Sequence, residues 1–137
     1  MKIAVIDGQG GGIGKHITDK LRRSLSEGIE IIALGTNALA TTAMLKAGAN
    51  EGATGENAIV TTVKKVDVIT GPISVLVANS MYGEVTPAMA TAIGDADAWK
   101  IFLPVNRSNI EIIGVMKEPL PHQIDHLVEE ILKRGVK

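Results

Sequence analysis

The stretch Lys2-Ile3-Ala4-Val5-Ile6-Asp7 empties into Gly8-Gln9-Gly10-Gly11-Gly12-Ile13-Gly14, and the fold turns on how that junction is read. An apolar strand runs into a turn in which five of seven residues are glycine. The amphipathic pattern Ile13, Ile17, Leu21, Leu25 follows at once, which is the spacing of a helix. A strand that passes through glycines into a helix brings backbone N–H groups to the helix N-terminus, where partial positive charge attracts phosphate. A Cβ on such a turn would hold a pyrophosphate away from those amides. The junction therefore predicts a nucleotide site whose cofactor-binding residues are Gly8, Gln9, Gly10, Gly11, Gly12, Ile13 and Gly14.

Working outward, the rest of the chain alternates strand and helix. Strands are expected over 2–7, 30–34, 66–70 and 100–105, and helices over 12–26, 37–48, 55–64 and 87–94, with a last one from Pro121. Thr54 is expected to cap the third helix, with Glu56 in its first turn. Ile73 to Met81 reads as a short helix entered through Gly71-Pro72. Ile110 to Val115 reads as a strand. The four residues between it and the preceding strand, Asn106 to Asn109, are too few for a parallel crossover, so that pair is expected to be antiparallel. The rhythm predicts an α/β, doubly wound, mostly parallel sheet with an antiparallel edge strand, built as a single domain spanning residues 1–137.

Composition fits that class. The 137 residues are 45% hydrophobic, yet only one Phe, one Tyr and one Trp occur, so the core is aliphatic, as suits strands buried on both faces. The net charge is −1, and the only dense basic cluster is Lys20-Leu21-Arg22-Arg23, one solvated helical turn. Nucleic acid is therefore not an expected partner. The absence of cysteine excludes disulfides, thiolate metal sites and a Cys nucleophile. The chain opens on strand residues, so no signal peptide is expected and the location is expected to be cytoplasmic.

The glycine spacing is not G-x-G-x-x-G, because the third glycine would fall at Ile13. It is not a P-loop either, since Gln9 stands where the first glycine belongs and His16 where a Ser or Thr would hold Mg²⁺. It is G-x-x-x-G-x-G through Gly8, Gly12 and Gly14, a spacing that resembles the cofactor loop of short-chain dehydrogenases. Those enzymes place a Lys four residues after their catalytic Tyr, whereas Tyr82 is followed there by Thr86. The hydride-transfer reading is rejected on that ground.

Ile6-Asp7-Gly8-Gln9-Gly10-Gly11-Gly12-Ile13-Gly14-Lys15, Ala33-Leu34-Gly35-Thr36-Asn37-Ala38, Ala53-Thr54-Gly55-Glu56-Asn57-Ala58 and Ala78-Asn79-Ser80-Met81 are spread over most of the chain. With them the chain resembles a family of small, uncharacterised bacterial Rossmann-like proteins, described as domains of unknown function. The resemblance implies the fold and no activity.

Two departures from a dinucleotide site matter. An acid is expected about 20 residues past the glycines to accept ribose hydroxyls, but Gly35-Thr36-Asn37 stands there. That removes the usual NAD preference without supplying an Arg for a 2′-phosphate, so the cofactor stays open between NAD(P) and another nucleotide. Thr36 and Asn37 either bond a ribose or cap the following helix. Asp7, beside the loop, either bonds the loop amides or bridges to phosphate through a divalent cation. Asn79 and Arg107 join the candidates at the carboxyl edge of the sheet, Arg107 either gripping an anion or lying in solvent. Glu56 and Glu84 are acid/base candidates, and His16 flanks either the phosphates or the apolar stripe of its helix. His122 and His126, one turn apart, read as a solvated face and not a metal site.

Two stretches carry almost no charge: Gly35 to Asn50 holds only Lys46, and Pro72 to Gly94 only Glu84. Helices apolar all round must be covered, and the breaks at Asn79, Gly83 and Pro87 rule out a membrane span. A homo-oligomer, dimer or higher, is the expected cover, with Leu39, Ala40, Ala43 and Met44 facing a partner copy, joined by Met81, Tyr82 and Met89. The sequence thus reads as a binder of a phosphate-bearing small molecule, with a ligand-sensing or scaffold domain as the alternative.

Overall fold

The computed structural model describes residues 1–26, 28–105 and 109–134. Five strands, β1 (Lys2–Asp7), β2 (Glu30–Gly35), β3 (Glu51–Thr54), β4 (Val68–Pro72) and β5 (Trp99–Leu103), form one sheet in the order β3-β2-β1-β4-β5. Every pairing is parallel. This is the strand order of a doubly wound sheet, and the order reverses between β1 and β4.

Because successive side chains of a strand point to opposite faces, each central strand feeds two cores. Ile3 and Val5 of β1, with Ile31 and Ala33 of β2, pack under α1 (Gly12–Ser24), α2 (Ala38–Lys46) and α5 (Leu120–Lys133). Ala4 and Ile6, with Ile32 and Leu34, pack under α3 (Glu56–Thr62) and α4 (Pro87–Asp95). Both faces are covered, which is why the strands read as unbroken apolar runs.

Several expectations are corrected. The segment from Ile110 to Val115 forms no strand, and β5 pairs only with β4, so among the described residues the sheet has no antiparallel edge. Left-handed backbone at Asn109 (φ 56°) and Gly114 (φ 90°) interrupts the extended run. Asn106 and Arg107 lie outside the described residues. In place of that strand the sheet gains β3, whose Glu51-Gly52-Ala53-Thr54 lacks any apolar or β-branched pattern. It is held by its backbone register against β2, from Ile32↔Glu51 to Gly35↔Thr54. A Cβ on Gly52 would stand 2.8 Å from Thr41 Cγ2, so the glycine lets α2 close down on the strand. Thr54 does not cap α3; Gly55 does, and Thr54 Oγ1 meets Thr41 Oγ1 at 2.8 Å. The stretch from Ile73 gives one 3-10 turn, Ile73–Leu76, and then tight turns instead of a helix.

Of the residues assigned to a partner copy, three are interior and Ala43 and Met81 are half-buried. Ala40 and Met44 are wholly buried under α1, and Met89 is in the opposite core. Leu39 and Tyr82 do remain exposed. The basic cluster of α1 is spent within the chain. Arg22 Nε donates to Gly48 O at 3.0 Å and its guanidinium also reaches Asn50 Oδ1, Arg23 pairs with Asp19 at 2.6 Å, and Lys20 with Asp125 at 3.1 Å. His122 and His126 lie on the exposed face of α5, where His126 Nε2 stands 3.6 Å from Glu130. Among the described residues no helix is long and apolar enough to cross a membrane.

One buried polar atom is left over. Thr70 of β4 is fully buried and its Oγ1 has no hydrogen-bond partner among the described residues. Replacing an unsatisfied hydroxyl by an isosteric methyl removes its desolvation cost. Thr70→Val is expected to stabilise the fold by about 1 kcal/mol, read as a higher midpoint in urea denaturation. A lower midpoint would show that the hydroxyl is bonded.

Candidate functional site

At the carboxyl end of β1, Asp7 is only 4% exposed. Its two oxygens accept from the N–H of Gly8 and of Gly14, each at 2.7 Å. Of the two roles open to Asp7, the structure shows the one within its own loop. Burial raises the Asp7 pKa above the usual carboxylate range; the two amide bonds act against burial, and the nearby Glu84 charge adds to it.

The loop amides then divide. The N–H of Gly8 and Gly14 belong to Asp7, that of Gln9 donates to Glu84 Oε1 at 2.9 Å, and that of Gly11 to Gly8 O at 2.9 Å. The N–H groups of Gly10, Gly12 and Ile13 have no acceptor among the described residues. Gly11, left-handed at φ 71°, is the N-cap of α1 with no side-chain cap, and the first turn of the helix carries no acid. The positive end of α1 is therefore not neutralised by its own side chains.

The glycines divide as well. A Cβ on Gly8 would come within 2.3 Å of Thr36 Oγ1, on Gly11 within 2.7 Å of Ala40 Cα, and on Gly14 within 2.6 Å of Met44 Sδ. Those three are required by packing. A Cβ on Gly10 or Gly12 would meet nothing within 4 Å, and neither has a left-handed φ. The fold does not need glycine at these two positions.

Beyond them lies a cleft of about 970 Å³ between the glycine loop and the segment that follows β4. It is lined on one side by Asp7 to Ile13 and on the other by Pro72, Ser74 and Val77 to Tyr82. This is the crevice outside the carboxyl ends of the strands at the point where strand order reverses, where open α/β sheets take their ligands. Gln9, Asn79, Met81 and Tyr82 all have positive φ (49°, 66°, 56° and 55°), and all four line the cleft. Backbone strain of this kind costs on the order of 1–3 kcal/mol per residue and gathers at functional sites.

Glu84 organises the other side of the loop. Its Oε1 accepts from Gln9 N–H (2.9 Å), Thr36 Oγ1–H (2.7 Å) and Asn37 Nδ2–H (2.8 Å). Asn37 also donates to Gln9 O and caps α2 by accepting from Ala40 N–H, both at 2.9 Å. Thr36 and Asn37 thus serve a helix cap and Glu84, and neither lines the cleft. Partial burial pushes the Glu84 pKa up, but the bonds from Gln9, Thr36 and Asn37 outweigh it and hold it below the usual range. Sequence reading marked Glu84 only as an acid/base candidate. The one signal for its real place was its standing as the sole charge between Pro72 and Gly94. Glu56 instead accepts from Thr86 Oγ1 at 2.6 Å, away from the cleft, and His16 is exposed on α1.

The family described as a domain of unknown function (DUF3842) matches residues 2–135, and the chain belongs to it. No curated protein matches the chain. Among solved structures, a dodecameric FMN-dependent Ubix-like decarboxylase from Escherichia coli O157:H7 is similar to it at 13% identity and a TM-score of 0.49, covering 98% of this chain and 93% of that one.

A group with a depressed pKa contributes stability above its unfolded value, about 4.3 for Glu, and loses that contribution as the pH falls through its folded value. Asp7, with a raised pKa, acts in the opposite sense, so its contribution falls as pH rises through its window. Comparison of the wild type with Glu84→Gln reads the first effect together with the loss of the Glu84 charge from beside Asp7. The wild type is expected to melt higher near neutral pH, with the difference shrinking below about pH 4.3. A difference in melting temperature that does not change with pH would show that the Glu84 charge does not hold the loop.

Proposed function

We propose that this member of the DUF3842 family binds the phosphate of a nucleotide at the glycine loop. The observation that carries the reading is the pairing of two surplus glycines, Gly10 and Gly12, with three free amides, Gly10, Gly12 and Ile13, at one mouth of the cleft. A loop that only packs α1 onto the sheet accounts for Gly8, Gly11 and Gly14. It does not account for the other two. Backbone donors that Asp7 leaves free at a helix N-terminus suit an anion, and the open space over Gly10 and Gly12 lets one approach.

Binding fits the lining better than catalysis does. Both Asp7 oxygens are held by amides, and Ser80 Oγ donates to Ser74 O at 2.5 Å. Among the described residues, the polar side chains left on the cleft wall for a ligand are those of Gln9, Ser74, Asn79 and Tyr82. A ligand-sensing role, in which occupancy changes an interface between copies of the chain, draws support from a different face. Ile110, Ile112, Ile113, Val115 and Met116 are all exposed, Met116 at 72% and Ile113 at 86%.

Gly12→Val adds a side chain where only open space lies, so circular dichroism and melting temperature are expected to stay close to wild type. Affinity for inorganic pyrophosphate and for nucleotides, read by calorimetry, is expected to fall at least about tenfold, the loss of roughly one charge-assisted hydrogen bond. Undiminished affinity in a folded Gly12→Val protein would remove the loop from the site. For the assembly, sedimentation at micromolar concentration is expected to show a species heavier than 14.4 kDa, and Ile113→Asp is expected to reduce its mass. A wild-type sedimenting as a monomer would contradict self-association.

A further inference from the structure

Tyr82 is fully exposed, on a backbone with φ 55°, in a segment where Asn79 and Met81 are also left-handed. A large aromatic in that conformation costs free energy twice, once in the backbone and once in unburied apolar area. The segment is nevertheless firmly held. Asn79 N–H donates to Val85 O at 2.7 Å, Val85 N–H donates to Ser80 O at 3.2 Å, and both Ser80 and Val85 are buried. The other two aromatics are packed: Phe102 against the core of α3 and α4, and Trp99 beneath the Arg134 guanidinium, 4.3 Å from its ring centre. Tyr82 alone is held out, at the wall of the cleft facing the glycine loop.

The opposite direction is closed. In a dinucleotide site the adenosine runs from the loop over the end of β2, onto an acid there. Here Glu84 Oε1 bridges Gln9, Thr36 and Asn37 over that place. The α-carbon of Gly8 is walled in by Thr36, Met81 and Glu84, each within 3.0 Å of where a Cβ would be. Among the described residues, a ligand with its phosphate on Gly10, Gly12 and Ile13 has its open volume toward Pro72, Asn79, Tyr82 and Val105.

We infer that the ligand is a mononucleotide, with one phosphate end on the α1 amides and a planar heterocycle stacked on the Tyr82 ring. This rests on the phosphate site proposed above and adds the ligand's size class and its second anchor. Stacking on an aromatic face is tolerant of base identity, so Tyr82 supplies affinity for the ring and Asn79, beside it on the same wall, supplies a polar group to read its edge.

The test is calorimetry with AMP, GMP, UMP, FMN, NAD and inorganic phosphate on wild type, Tyr82→Ala and Tyr82→Phe. Because the side chain packs on nothing, all three proteins are expected to fold alike. At least one mononucleotide is expected to bind more tightly than both NAD and phosphate. Tyr82→Ala is expected to weaken that mononucleotide about tenfold or more, with phosphate affinity unchanged and Tyr82→Phe close to wild type. A mononucleotide affinity untouched by Tyr82→Ala, or NAD as the tightest ligand, would overturn the inference while leaving the phosphate site standing. Equal loss of phosphate and mononucleotide affinity in Tyr82→Ala would also overturn it, since the ring would then act through the loop. Failure of the phosphate site itself reads out separately, as phosphate affinity unaffected by Gly12→Val.

Discussion

A buried carboxylate held by two backbone amides sets the geometry at the carboxyl edge of the sheet. Asp7 closes β1, and its oxygens take the N–H of Gly8 at the start of the loop and of Gly14 inside α1. An unpaired buried carboxylate costs several kcal/mol, while a hydrogen bond to a charged group returns about 1.5–3 kcal/mol. The charge is therefore tolerable only if both amides stay in place, and strand end, loop and helix start are fixed as one unit. Gly14 makes the approach possible, because any side chain there would strike Met44 and Asp7 itself. What the staple leaves unused, the amides of Gly10, Gly12 and Ile13, is what the proposed site is built from.

Glu84 performs the same service from a distant part of the chain. By collecting Gln9, Thr36 and Asn37 on one oxygen, it ties the turn after β1 to the turn after β2 and brings the strained segment after β4 against both. The acid absent from the end of β2 in the sequence is thus present in space, delivered from 48 residues beyond Thr36. Its donors already fill that oxygen, so it braces the loop and directs the cleft toward β4.

The β1–loop–α1 unit was legible because its signals are local: an apolar run, a glycine turn and a 3.6-residue stripe. The packing of α2 was not. Ala40 and Met44 sit on a helix without a clear polar face, so the sequence could not tell burial under α1 from burial against a second copy. Strand β3 was invisible because Glu51-Gly52-Ala53-Thr54 earns its pairing from the exposed edge of β2 and not from its own side chains. The error over Ile110 to Val115 is the converse, a β-branched run whose local preference no neighbouring strand fulfils among the described residues. For the proposed site, sequence reading named the whole glycine loop without ranking its members. Which amides are free depends on Asp7, legible as a neighbour, and on Glu84, a contact spanning 75 residues.

The most direct test of the central claim follows the loop amides one by one. In ¹H–¹⁵N spectra of the labelled protein titrated with inorganic pyrophosphate, the Gly10, Gly12 and Ile13 amide protons are expected to show saturable downfield shifts. The Gly8 and Gly14 protons, already held by Asp7, are expected to move far less. Uniform small shifts along the loop, or saturable shifts only at residues outside it, would contradict the claim that these three amides form an anion site.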